Sequence, residues 1–455
     1  MISCLFHKAA LFLTSLLTAG LLFAQNFQPI PLAELEIRTF SGLTNSLSNF
    51  VSQVKPEAAG QLIFLSAAVA MNPQTAAIDL NKPLRAVLLT GAGKTATDAA
   101  GHYQPDLFFC LSAHLRQGAQ IEDSIATFGG PLTVRRLSGD RILLYSTHPL
   151  FIGQLDAIEK KFFPTASDRG MADFKLILNL KAVSRIPGIT SSVKNAVMTS
   201  PDWNPACDNI LSDTVDSLAE QIQKLSIKLN FLDASTISLT GTLVPDKGTP
   251  LATYLRSKPA GAFDMPSTFK AADSYTLIAI PPASELKRTL LKEFANAGLP
   301  AYLQECVMRS NGKALLSENR VLGLQKLSLE LENGAMPHLL SALGKDKTVH
   351  RLPSGIWMLD CQENRQAVFA EVRDNKFLLV AGKLTEPTAL RLLNDPTPLP
   401  AQVEAGTSAV SHFLRLKSGT IVRKGDLHLT TRGIDFAFKI SASDFPRKPS
   451  ALSEK

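Results

Sequence analysis

The chain has 455 residues, 45% hydrophobic and 19% charged, which allows packed cores in two or three domains and excludes global disorder. Its formal charge of +7 contains no run of five basic residues, so the basic stripe of a nucleic-acid-binding surface is excluded as well.

Residues 1–8 carry one basic residue and no acid, residues 9–33 carry no charge, and residues 11–24 are mostly Leu, Ala and Phe. This is the layout of a secretory signal peptide over residues 1–24, with Ala24 as the small residue at the cut before Gln25. The alternative is an uncleaved anchor, because the apolar run approaches spanning length. After cleavage the charge falls to +6, and no later stretch reaches about 18 uncharged apolar residues. The expectation is an exported protein, periplasmic or secreted, without a transmembrane span. Four cysteines remain, Cys110, Cys207, Cys306 and Cys361. An oxidising compartment allows three pairings of them. Any bonds should stay within a lobe, Cys110 with Cys207 and Cys306 with Cys361. Cys110 also reads as a buried free thiol in an apolar strand.

Residues 84–89 read as a strand, followed by Gly91-Ala-Gly-Lys-Thr95. The phosphate-loop spacing needs a Gly where Leu88 stands, so residues 90–105 read as a long polar loop. Lys94, Thr95, His102 and Tyr103 on it are candidate ligand contacts, since backbone amides there could hold an anion. Apolar runs at 106–114, 142–145 and 174–180 predict strands. Trp203, in Pro201-Asp-Trp-Asn-Pro205, is a further binding candidate on a loop. Leu211, Val215, Leu218, Ile222 and Leu225 fall on one helical face. Residues 225–231 and 236–244 alternate as a hairpin about Asp233-Ala-Ser235. A Pro/Gly linker spans 259–272. Beyond it come a strand at 275–280, a helix through Leu286, Leu290, Leu291 and Phe294, and strands at 327–331, 377–380, 413–416, 427–429 and 434–440. A helix at 385–393 carries Pro387 in its first turn, and residues 446–455 form a mobile tail.

The second half echoes the first. Leu115-Arg-Gln-Gly-Ala119 resembles Leu331-Glu-Asn-Gly-Ala335, and Thr133-Val-Arg-Arg-Leu137 resembles Thr348-Val-His-Arg-Leu352. Asp140-Arg-Ile-Leu-Leu144 pairs with Asn375-Lys-Phe-Leu-Leu379, and Asn179-Leu-Lys181 with Arg415-Leu-Lys417. These matches keep their order and imply about 20 extra residues near 354–373 of the second copy. The expected fold is α+β: two similar lobes from an internal duplication, each a mostly antiparallel sheet with a few covering helices. Lobe one covers 25–258, with an insertion at about 183–224, and lobe two covers 273–445. Features present in only one copy are the better candidates for function.

Ser267-Thr-Phe-Lys270, Ser317-Glu-Asn319 and Lys417-Ser-Gly419 follow the order of the motifs in penicillin-recognising serine enzymes. In that chemistry Ser267 is the nucleophile, Lys270 its base and Lys417 a partner for the substrate carboxylate. Against it, Ser-x-x-Lys recurs at Ser191 and Ser284, and a nucleophile should open a helix. There is no His-Glu-x-x-His and no Gly-x-Ser-x-Gly, and the histidines show no metal-ligand spacing, so neither metal nor cofactor is expected. The reading is an exported non-enzymatic protein that binds an unidentified envelope component or protein, or serves envelope structure. The serine acyl-transfer enzyme is the alternative. N-terminal sequencing of the mature protein is expected to begin at or near Gln25; a retained Met1 in a membrane fraction would establish the anchor instead.

Overall fold

The computed structural model describes residues 29–71, 75–91, 96–97, 103–104, 107–125, 131–164, 171–184, 220–256, 267–279, 300–359, 367–400 and 411–445. The chain is a mixed α/β protein dominated by antiparallel sheet, with helices laid against it. It divides into two compact units: the chain up to Lys247, joined by the chain from Ser441 onward, and Gly248–Ile440.

The first unit runs β1 (Pro29–Ile37), α1 (Phe40–Val54), α2 (Pro56–Met71), β2 (Leu84–Gly91), the small hairpin β3 (Ala96–Thr97) and β4 (Tyr103–Gln104), then β5 (Leu107–His114), β6 (Ser124–Ile125), β7 (Leu132–Arg136) and β8 (Arg141–Ser146). It continues with α3 (Pro149–Ile152), α4 (Leu155–Phe162), β9 (Phe174–Leu178), α5 (Leu180–Val183), β10 (Ile222–Asp233) and β11 (Thr236–Pro245). In space the strands lie β7-β8-β5-β2-β1-β9-β10-β11, every neighbour antiparallel. The middle of this sheet is buried on both faces. Leu143 of β8 packs with Phe108, Cys110 and the α3–α4 residues Phe151, Leu155 and Ile158. Its neighbours Ile142 and Leu144 point the other way, onto Ile78, Leu80 and Leu115. Phe108 and Phe151 stack with ring centroids 4.3 Å apart.

Helices α1 and α2 form a hairpin that sequence periodicity does not announce. Ser41, Thr44, Asn45, Ser46, Ser48 and Asn49 are turn-favouring and weak helix formers. Tertiary packing decides the matter. Thr39 accepts a hydrogen bond from the Gly42 amide at 3.1 Å and caps α1. Leu43, Phe50, Val51 and Val54 then pack on Leu229, Ile237 and Phe445. Pro56 opens α2, where a missing amide costs nothing.

The second unit runs α6 (Pro250–Leu255), β12 (Ser274–Ala279), α7 (Ala301–Arg309), β13 (Ser310–Asn319), β14 (Leu324–Leu331), α8 (Met336–Lys345), β15 (Val349–Arg351), β16 (Trp357–Leu359) and β17 (Ala367–Arg373). Then come β18 (Lys376–Gly382), α9 (Glu386–Leu393), β19 (Ser411–Lys417), β20 (Thr420–Thr430) and β21 (Gly433–Ser441). Their spatial order is β15-β16-β17-β18-β14-β13-β12-β19-β20-β21, again antiparallel throughout. Here too the centre is sealed twice. Phe377 packs with Trp357, Leu339, Leu343 and Cys306, while Leu378 and Val380 meet Ala389 and Leu393 of α9.

Several sequence expectations are corrected. Of the helical stripe expected from Leu211, only Ile222 and Leu225 fall among the described residues, and both are in β10. Residues 179–180 leave the strand expected there, because Asn179 caps the single-turn helix α5 through the Ala182 amide. Thr90 and Gly91 belong to β2 rather than to the loop. Trp357 lies in the core. The helix through Leu286 falls outside the described residues. Among the described residues no helix is long and apolar enough to cross a membrane.

Cys110 and Cys306 are free buried thiols, so neither makes the within-lobe bond considered above. Desolvation, reinforced by Glu159, pushes the Cys110 thiol far up. The same effect with Glu305 takes Cys306 up to about 12. Reaction needs the thiolate. Peptide mapping after maleimide treatment of the folded protein near neutral pH should therefore find both unmodified, and both modified after denaturation. Labelling of either in the native state would show that its core face opens.

Candidate functional site

The least ordinary surface of the first unit is helix α2. Over its 16 residues only Glu57 is charged, and residues 58–78 contain no charge at all. One face, through Gly60, Ile63, Phe64, Ala67 and Met71, is turned to solvent. Phe64 is 73% exposed and Met71 80%. Ala59 packs inward. An ordinary surface helix shows water its polar side; α2 shows it Phe64 and Met71. The helix packs beside α1, which is anchored in the core. The signal in the sequence was the charge-free run itself, concealed because Gly60, Gln61 and Ser66 interrupt its hydrophobicity.

In the second unit a buried cation ties three segments together. Lys326 on β14 is 2% exposed. Its Nζ donates to the carbonyls of Thr268 at 3.2 Å and Asp395 at 3.3 Å. Thr268 precedes β12, and Asp395 follows the end of α9. Arg373 adds a donor to the Leu393 carbonyl at 2.9 Å and another to the Asn394 side chain. Both cations thus meet the carbonyl-rich, partially negative end of α9. Burial lowers the Lys326 ammonium to about 8; the Asp395 carboxylate opposes that shift and Arg373 adds to it. Burial works to raise Asp395, yet hydrogen bonds from Thr397 and from the Lys270 amide hold it below the usual carboxylate range. Two of the ammonium's three protons are committed to carbonyls, which makes this a structural tie and not an exposed base.

A second polar pair lies on neighbouring strands. His412 of β19 stands directly across from Asp426 of β20, with Nδ1 and Oδ1 2.5 Å apart. His412 is 1% exposed, and its Nε2 meets no hydrogen-bond partner. The carboxylate fixes the ring as in a hydrolytic triad, but the ring is sealed into the core face beside Leu277.

The serine-enzyme residues are placed as follows. Ser267 lies in an irregular segment that passes into a turn at Lys270, so it does not open a helix. The Lys270 amide donates to Asp395, and its side chain is exposed. Ser317 is buried on β13, donating to the carbonyl of its cross-strand neighbour Lys326 at 3.3 Å. The Asn319 side chain donates to the Ala271 carbonyl. The first two motifs therefore meet around the Lys326 tie. Lys417 ends β19, and Ser418 (φ 51) with Gly419 (φ 76) makes the two-residue turn into β20, a hairpin that requires positive φ at both positions.

Lys94, Thr95, His102 and Trp203 lie outside the described residues, and the Tyr103 backbone pairs with Thr97. A cavity of about 160 Å³ opens at β1, β9 and β10, lined by residues including Leu32, Glu34, Asn179 and Lys224. It is smaller than the usual small-molecule site.

No protein-family model matches the chain, and no curated protein matches it. Two solved structures do, both of TP0453, in crystal forms III and IV. Each is 11% identical with a TM-score of 0.23, covering 43% and 42% of this chain and 94% and 96% of their own. A likeness at that score carries no statement about fold or function.

The Lys326 tie has a pH signature. With its folded value near 8 against 10.5 for a free lysine, the unfolded chain binds more protons between those limits. Stability contributed by this group therefore rises with pH across that window and is constant below it. Urea midpoints of wild type and Lys326→Met should diverge in favour of wild type from about pH 7.5 to about pH 10, by up to roughly 3 kcal/mol. A difference independent of pH would show that the ammonium is not desolvated.

Proposed function

We propose that the chain is an exported, non-enzymatic protein of the cell envelope, acting through binding, and that its two units are copies of one lobe. The doubled strand plan supports the second part. The order β8-β5-β2-β1-β9-β10-β11 is repeated as β18-β14-β13-β12-β19-β20-β21. His114 faces Arg141 in β5–β8, and Glu330 faces Lys376 in β14–β18; these are the positions that the Leu115/Leu331 and Asp140/Asn375 similarities equate. The Thr133/Thr348 similarity fares less well. It falls on β7 and β15, which hold different places, since β7 borders β8 while β16 and β17 separate β15 from β18.

The observation that carries the binding reading is the contrast between equivalent connections. The chain from β1 to β2, residues 38–83, holds α1 and α2 and five charged residues, Arg38, Lys55, Glu57, Asp79 and Lys82, of which only Lys55 and Glu57 fall within 40–71. The chain from β12 to β13, residues 280–309, holds seven charged residues. A scaffold supplied twice does not require this sparsely charged hairpin surface, which makes it the better candidate for binding. The interval between β9 and β10, residues 179–221, is an addition, where two residues join β19 to β20.

The rival reading makes Ser267 a nucleophile. Treatment with a fluorophosphonate probe and with a fluorescent penicillin should leave the purified protein unlabelled. Labelling abolished by Ser267→Ala would overturn the non-enzymatic reading.

A further inference from the structure

Resting on the envelope reading, we propose that the outward face of α2 docks on a lipid bilayer surface, with Phe64 and Met71 immersed in the interface. The argument for lipid over protein begins with charge. A protein interface of stable size takes roughly 800 Å² from each partner and surrounds its apolar centre with a polar rim. The α2 face has a few large apolar side chains and, from Ala58 to the end of the helix, no charged residue on any side. Apolar character all round a helix is the property of one buried in a core or in lipid. A bilayer interface accepts such a surface without matching its shape.

Length sets the depth. Sixteen residues rise about 24 Å, short of the roughly 30 Å hydrocarbon layer. The helix therefore lies in the interface plane and does not cross it. Position makes insertion possible without unfolding: apart from the inward Ala59, the core contacts of the hairpin belong to α1, while Phe64 and Met71 make no part of any core cluster. The excess of basic residues over the whole chain favours an anionic bilayer surface. The equivalent connection of the second unit carries Glu285, Lys287, Arg288, Lys292 and Glu293, so its sequence has no comparable charge-free run.

The test is flotation of the purified chain, starting at Gln25, with vesicles of phosphatidylglycerol and phosphatidylethanolamine. Wild type should co-float. The double variant Phe64→Asp/Met71→Asp should lose at least about tenfold in partitioning, with an unchanged urea midpoint because both side chains are exposed. A Phe64→Trp variant should be quenched by bromine-labelled acyl chains, beyond any quenching of the native tryptophans. Failure of wild type to co-float, or equal flotation of the double variant, would overturn the inference. So would a dimer dissociated by the same substitutions in protein that ignores vesicles, which would assign the face to a second copy. None of these failures touches the non-enzymatic reading, which stands or falls on the serine probes.

Discussion

Each unit is organised around one antiparallel strand pair sealed on both faces, β5–β8 in the first and β14–β18 in the second. A strand buried twice has no polar face to offer, so its residues run as Ile142-Leu-Leu144 or Phe377-Leu-Leu-Val380 without alternation. Everything around it must then supply cover. In the first unit α3 and α4 close one side and the segment at Ile78 and Leu80 the other; in the second, α8 and α9 do so. Removing Phe151 or Phe377 would open a cavity against a rigid ladder with little ability to collapse, at a cost of about 3–5 kcal/mol.

The same constraint explains why Lys326 is costly and yet tolerated. It occupies a position on β14 that points into this sealed layer. In the first unit the buried middle of β5 holds Cys110 instead, a small apolar side chain. A lysine there can be accommodated only if its ammonium reaches polar atoms. The end of α9 and the Thr268 carbonyl provide them. The tie therefore holds together a sheet strand, a helix terminus and the chain entering β12. Its specificity resides in which carbonyls are within reach, and Lys326 in Leu324-Gln-Lys-Leu-Ser328 gives no hint of this in one dimension.

What could be read from the sequence was governed by how local the determining physics is. The hairpins β10–β11 and β20–β21 follow from alternation and from their own turns, and lie where the pattern puts them. Glu386–Leu393 begins at Thr385 with Pro387 in the first turn as expected, although Thr385 spends its hydroxyl on Thr388 and not on a backbone amide. By contrast α1 and α2 depend on packing against Leu229, Ile237 and Phe445, far away in sequence, which overrides weak local propensity. Strand β13 was missed because Ser310-Asn-Gly-Lys313 reads as a turn; the chain makes a local irregularity there before entering regular pairing at Ala314. Lys417-Ser-Gly419 looked like chemistry and proves to be turn geometry, because a positive-φ pair draws on the same few residue types as many motifs.

The junction between β19 and β20 has a practical side. Two residues with positive φ connect these strands, whereas residues 179–221, over twenty times as many, bridge the antiparallel pair β9 and β10 of the first unit. Loop-closure entropy grows only logarithmically with length, and both bridged strands remain antiparallel to their neighbours. The Ser418–Gly419 turn is thus a natural place to splice in a fluorescent reporter or an affinity epitope. Such a graft would sit at the tip of an exposed turn and would turn an architectural asymmetry into an engineering port.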